Sequence, residues 1–207
     1  VAVIKSKNWN AAGVTLPGVP GIVIGRGDNI SWVLTNVMND DADFYVEKLD
    51  SSKTKYLIDG QWQNLKIIKD TIKVNDGIDQ IITIKETHRG PIISNIHPYK
   101  FIYNKDNLDI PPISMRWSGS EFSDEMLAFY KLNKAKNWNE FRDAVKYFGI
   151  PGQNFVYADA QGNIGYIMGA RIPLRNSNNP TLVFDGTTSE NDWNGFISTE
   201  EIPTILN

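Results

Sequence analysis

Turn-forming residues cut this chain into short pieces, and no other feature constrains its fold as much. Gly and Pro are dense in Leu16-Pro17-Gly18-Val19-Pro20-Gly21 and return in Gly25-Arg26-Gly27-Asp28. Further breaks fall at Asp50-Ser51-Ser52, Asp59-Gly60, Asn75-Asp76-Gly77 and Gly149-Ile150-Pro151-Gly152. Between them lie runs rich in β-branched and aromatic residues, at 22–24, 30–35, 44–49, 67–74, 80–85, 155–158 and 164–167. Such runs fit half-buried strands. Asp76-Gly77 between two of them predicts a hairpin, and residues 159–163 join the last two in another. A polar cluster at 36–43 interrupts the strands. Gly90-Pro91-Ile92-Ile93 opens another short apolar piece, and 104–112 reads as a loop.

Helix signals are confined to one region. Trp138, Phe141, Val145 and Phe148 recur at i, i+3, i+7 and i+10, which is one apolar face. Asn137 stands at the N-cap, and Glu140 sits where a capping-box partner reaches back. A second helix is expected over 124–132. From Arg175 onward the chain reads as mostly irregular. The class is therefore α+β.

Composition removes several functions. With 41% hydrophobic residues and a net charge of -3, the chain resembles an ordinary globular protein. It lacks the basic surplus of a backbone-tracking nucleic-acid binder. No apolar run nears the roughly 20 residues of a membrane span. With no cysteine, it holds no disulfide, thiolate metal site or cysteine nucleophile. Val1-Ala2-Val3-Ile4-Lys5 is not a signal peptide and lacks an initiator methionine, so the chain reads as a piece of a longer protein.

Local motifs leave the function open. His88 and His97 have no partner at metal-ligand spacing and read as structural. Gly25-Arg26-Gly27 is too short for a phosphate cradle. Asp40-Asp41-Ala42-Asp43 offers hard oxygen ligands but lacks an EF-hand pattern, and a solvated acidic turn is the plainer reading.

Six segments, in order, decide between these readings. They are Gly13-Val14-Thr15-Leu16-Pro17-Gly18-Val19-Pro20-Gly21; Ile30-Ser31-Trp32 with Thr35-Asn36 and Asp40-Asp41-Ala42-Asp43; Thr87-His88-Arg89-Gly90-Pro91; Met115-Arg116-Trp117 with Asn137-Trp138-Asn139-Glu140-Phe141; Gln153-Asn154-Phe155-Val156-Tyr157-Ala158-Asp159 with Gly162-Asn163-Ile164-Gly165-Tyr166 and Pro173-Leu174-Arg175; and Asp192-Trp193-Asn194-Gly195. Together they resemble the β-chain of the penicillin acylase (penicillin amidase) family of N-terminal-nucleophile hydrolases. The resemblance implies a precursor that cuts itself to expose an N-terminal serine, whose α-amine is the base. The serine attacks an amide and forms an acyl-enzyme.

Residue by residue, the resemblance makes Asn154 an oxyanion donor through its side chain and Asn36 one through its backbone N–H. Arg175 matches an arginine that orders Asn154 and the α-amine. Val23 and Ile24 fall on the wall of the acyl pocket, where aliphatic Ile24 favours a non-aromatic acyl group. Asp40, the carbonyl of Ala42, and Asp43 fall on a structural calcium segment, with Asp159 a weaker candidate. Further calcium ligands would come from elsewhere, so this site is expected to be incomplete.

The sequence departs from the family in three places: Arg26-Gly27 replaces a His-Asn, His88-Arg89 inverts an Arg-His, and Trp32-Val33 replaces a Trp-Gly. None removes a catalytic atom. The nucleophilic serine is expected before Val1, and neither Ser6 nor Ser31 replaces it, since neither carries a free α-amine. Residues 1–207 alone are expected to be inactive.

The implied architecture is part of a four-layer αββα core from residues 1–40 and 114–207, with a β-rich barrel-like or roll-like insertion at 41–113. The implied partners are the rest of the precursor (α-chain and remaining β-chain) and a small N-acyl amide, with no nucleic acid and no membrane. Unpaired strand edges are expected to favour a dimer. The family implies a periplasmic or secreted protein, with substrates such as β-lactam side chains, as in antibiotic biosynthesis, or acyl-homoserine lactones. The rival reading is a noncatalytic β-rich module that binds sugar or peptide through Trp62 and Tyr99.

Overall fold

The computed structural model describes residues 1–94, 110–176 and 183–207. His97, Tyr99 and most of the expected loop at 104–112 lie outside them. The described residues are mostly β-sheet with few helices, in two compact units.

The first unit comprises Val1–Asp41, Glu121–Pro173 and Gly195–Asn207. Its strands are β1 (Ala2–Ser6), β2 (Trp9–Val14), β3 (Ile24–Arg26), β4 (Ile30–Asn36), β11 (Gln153–Asp159), β12 (Ile164–Gly169) and β14 (Thr204–Leu206). They form one antiparallel sheet in the order β1-β2-β3-β4-β11-β12-β14. Strand alternation sorts its faces. Ile30 and Trp32 of β4 and Phe155 and Tyr157 of β11 are buried, while Val33 and Val156 point the other way and are exposed.

Two helices, α1 (Glu125–Leu132) and α2 (Trp138–Val145), supply much of the rest of that core, with Ile22, Ala135, Phe148 and Ile202 from the connections. The N-cap read from the sequence holds, with Asn137 accepting from the Glu140 amide at 3.0 Å, and Asp124 caps α1 by accepting from the Leu127 amide at 2.9 Å. The Glu140 carboxylate reaches back to the amide of Lys136, one residue before the expected capping-box position. Phe141 of α2 packs on Tyr157 with ring centroids 5.0 Å apart, and Phe148 packs edge-on against Phe155 at 5.1 Å. Gly165 makes room for Trp138: a Cβ there would lie 2.5 Å from the indole ring.

The run 22–24 is not the strand its composition suggests, because only Ile24 enters β3. The Ile22 amide donates to Asn133 Oδ1 at 2.7 Å, and Asn133 Nδ2 donates back to the Ile22 carbonyl at 2.7 Å. A side chain thus takes the hydrogen bonds a neighbouring strand would have made. The sequence reading also gives no strands before residue 22, where the structure has the β1–β2 hairpin.

The second unit comprises Ala42–Ser120 and Leu174–Asn194. Residues 114–120 and 174–194 thus pack with 42–113. Strand β5 (Ala42–Val46) runs between β10 (Ile113–Trp117), antiparallel, and β13 (Phe184–Asp185), parallel. Two hairpins complete it, β6 (Lys55–Ile58) with β7 (Gln61–Asn64) and β8 (Lys66–Ile72) with β9 (Gln80–Glu86). Asp59 and Gly60, both at positive φ, turn the first hairpin, and Asp76 at φ 56 sits in the turn of the second.

Arg89, 3% exposed, organises this unit. It reaches Glu47 at 3.2 Å, Asp192 at 2.5 Å and the carbonyls of Gly186 and Thr188, with its guanidinium 4.4 Å from the Tyr45 ring centroid. His88 is structural here: its ring joins the Tyr56 hydroxyl at 3.1 Å to the Asp192 carboxylate at 2.8 Å.

Candidate active site

The two expected oxyanion donors meet across the central strand pair of the first unit. In the β4–β11 register, Asn36 stands opposite Gln153 and Thr35 opposite Asn154. The side-chain amide of Asn154 donates to the Asn36 carbonyl at 3.0 Å and lies 3.3 Å from Thr35 Oγ1, while its own Oδ1 accepts from the Tyr166 hydroxyl at 2.8 Å. Gln153 Nε2 donates to Asn36 Oδ1 at 2.8 Å and to the Gly152 carbonyl at 3.0 Å, so the Asn36 side chain is engaged with its cross-strand neighbour.

The entry to β11 is fixed from below. Glu125 Oε1 accepts from the amides of Gly149 and Ile150, each at 3.0 Å, and from the Ser123 hydroxyl. Partial burial pulls this carboxyl's pKa up, but those hydrogen bonds outweigh burial and hold it below its ordinary value. A negative charge at the head of α1 thus clamps the turn from which Gly152, Gln153 and Asn154 emerge.

The other expected site residues are placed differently. Val23 belongs to the buried core, with its carbonyl accepting from the Trp32 indole N–H at 2.9 Å; Ile24 is half-buried at the start of β3. Arg175 lies in the second unit, where its Nε donates to Asp43 Oδ2 at 2.7 Å. The indole N–H of Trp193 donates to that same oxygen at 2.5 Å. Neither Trp193 nor Tyr166 stands out in the sequence as a site residue. Tyr166 shares the sheet face of Asn154 through the β11–β12 register.

The calcium donors do not form a site by themselves. Asp43 Oδ2 already accepts from both Arg175 and Trp193. Asp159 accepts from Gln161, from Asn163 twice and from the Tyr157 hydroxyl, which makes it the organiser of the β11–β12 turn. The Asn163 side chain, ahead of the opposing cost of burial, holds its pKa low. Among the described residues no three His, Cys, Asp or Glu side chains gather as a metal ion would require. Calcium takes six to eight oxygens, more than Asp40 and the Ala42 carbonyl can add. A cavity of about 540 Å³ in the second unit, lined by Lys48, Asp50, Lys53, Lys85, Ile92 and Pro112 among others, contains none of the expected site residues.

The penicillin amidase family model matches residues 1–207. The chain belongs to the penicillin amidase family. Penicillin G acylase of Escherichia coli is 31% identical over 206 residues, which is 99% of this chain and 23% of that relative. Acyl-homoserine lactone acylase QuiP of Pseudomonas aeruginosa is 28% identical over 201 residues, covering 93% of this chain and 23% of the relative. A solved thermostable penicillin G acylase from Alcaligenes faecalis superposes with a TM-score of 0.84 at 27% identity, covering 100% of this chain and 36% of that one. The chain thus spans about a quarter of the length of the curated relatives it matches. These penicillin amidase relatives are acylases.

Proposed function

We propose that the protein containing these residues hydrolyses the amide bond of N-acyl compounds, and that residues 1–207 supply its oxyanion donors. The observation that carries this reading is the meeting of Asn36 and Asn154 on the β4–β11 pair, within a chain that matches the family throughout. An amide carbonyl under attack gathers negative charge on its oxygen. Preorganised N–H donors at that point commonly supply the largest share of catalysis. The Asn154 NH2 and the Asn36 backbone N–H take that role here. The nucleophile is an N-terminal serine outside residues 1–207, produced by self-cleavage of the precursor, so these residues alone turn nothing over.

The first unit is the partial αββα hydrolase core in this reading, and the second is the β-rich insertion. The remaining α-chain and β-chain cover the sheet face bearing Val14, Val33, Val156 and Ile205, all exposed in these residues alone. Calcium binds at Asp40, the Ala42 carbonyl and Asp43 only if other parts of the precursor add ligands. The acyl group is penicillin-like or acyl-homoserine-lactone-like, with aliphatic Ile24 on the pocket wall favouring a differently shaped, aliphatic chain over a phenylacetyl group. The protein works in the periplasm or outside the cell.

The test is the intact mass of the full-length protein, with and without the new N-terminal serine replaced by alanine. Two chains from the wild type and one from the variant are expected, together with amide turnover only in the wild type. A single chain from both would overturn the self-processing reading.

A further inference from the structure

Tyr166 has a place in the site that no family motif assigns to it here. On β12 it stands opposite Val156 of β11, which makes Asn154 its diagonal neighbour on the same sheet face. The Asn36 carbonyl, 3.0 Å from Asn154 Nδ2, can only accept a hydrogen bond, so it selects the NH2 end of that amide. The amide oxygen is thereby turned toward Tyr166, whose hydroxyl must donate across the 2.8 Å contact. Two contacts at opposite ends fix both the flip and the plane of the Asn154 amide.

One Nδ2 proton goes to the Asn36 carbonyl. The other has only the 3.3 Å approach to Thr35 Oγ1, a poor bond that a charged oxygen would displace. A donor into Oδ1 also polarises the amide and strengthens its N–H as a donor.

We infer that Tyr166 is a positioning residue of the oxyanion site: its hydroxyl orients and polarises the Asn154 amide so that one N–H stays available for the tetrahedral intermediate. This rests on the reading of Asn154 as an oxyanion donor. Tyr166 touches no reacting atom in this scheme and acts only through Asn154.

The test uses the full-length protein and the variants Tyr166→Phe, Asn154→Ala and both together. The probes are chromogenic phenylacetyl and fatty-acyl anilides, of which the faster is followed. Active sites are titrated with a sulfonyl fluoride so that rates refer to competent enzyme. Tyr166→Phe is expected to lower kcat about tenfold with KM within about twofold, since one hydrogen bond to a polarised group is lost. Asn154→Ala is expected to lower kcat about 10²- to 10³-fold. The double variant should fall no further than Asn154→Ala, because the hydroxyl has no other route to the reaction.

Wild-type kcat in Tyr166→Phe beside a crippled Asn154→Ala would overturn the role of Tyr166 and leave the acylase reading intact. So would a loss confined to KM or to the titrated active-site concentration. Wild-type kcat in Asn154→Ala, or no turnover by the wild type, would overturn the acylase reading and Tyr166 with it.

Discussion

The two units are held together by opposite means. The first buries an aromatic layer: Trp32, Phe141, Phe155 and Tyr157 are each at most 1% exposed, and their hydrogen-bonding groups are few and satisfied locally. The second buries a cation. Arg89 and Glu47 are 3% exposed, Asp192 and the Tyr45 ring close around the guanidinium, and one Glu47 oxygen has no hydrogen-bond partner. Apolar packing is non-directional and tolerates small shifts. A buried ion network requires every member in place, and taking out one leaves an unpaired charge. The unit that carries the candidate site is thus built on an apolar core, with directional demands added locally at Asn133, Glu125 and Asn154.

The largest expected effects come from deleting the hub of either unit. Phe141→Ala should cost about 3–5 kcal/mol through lost burial and a cavity. Arg89→Ala should cost about the same through stranded Glu47. Hydrogen exchange resolved by segment separates the two: the first variant should deprotect β4 and β11 and the second β5 and β10. If either variant deprotects all four strands equally, the two cores are not separate.

A smaller effect sharpens the picture of the first unit. Gly165→Ala should cost about 1–3 kcal/mol by overpacking, because its Cβ would lie 2.5 Å from Trp138. Combining it with Trp138→Leu should restore part of the loss in thermal melts. Smaller again, Asn137→Ala should cost about 1 kcal/mol by removing the α2 cap. A change within experimental error would mean that tertiary packing alone holds α2.

Acid should act on the second unit's network. Burial pulls the Asp192 pKa up, but hydrogen bonds from His88 and Arg89 outweigh it and leave it below the ordinary carboxylate value. Its folded pKa is thus depressed. The stability it contributes is full above about pH 4 and is lost as pH falls through the lower folded value. Asp50, held to about 2 by the Ser52 hydroxyl and then the Lys55 amide, titrates lower still. In melting temperature against pH, Asp192→Asn should flatten the acid limb. An unchanged limb would place the acid sensitivity elsewhere.

Much of the first unit was legible in the sequence because its signals are local. The β-branched and aromatic content of 30–35, 155–158 and 164–167 marks strands, and the 3.6-residue period of Trp138, Phe141 and Val145 marks one helix face. Ile22 was misread because a distant side chain, Asn133, overrides its strand propensity. The second unit was less legible. Arg89 looks like a surface residue in sequence, and its partners Glu47 and Asp192 are 42 and 103 positions away. In the site, Asn36 and Asn154 were found through a family resemblance, while Tyr166 needed the β11–β12 register.

The central pair of the first sheet has a kinetic consequence. Gln153 and Asn36 are hydrogen-bonded across 117 positions of chain, whereas β11 meets β12 across a short turn. Closing the longer loop costs roughly 2–3 kcal/mol more in chain entropy than closing a hairpin. The hairpins therefore form early and the β4–β11 seam late. Asn36 and Asn154 become neighbours only when that seam closes, so any reaction that needs both waits until the chain has folded.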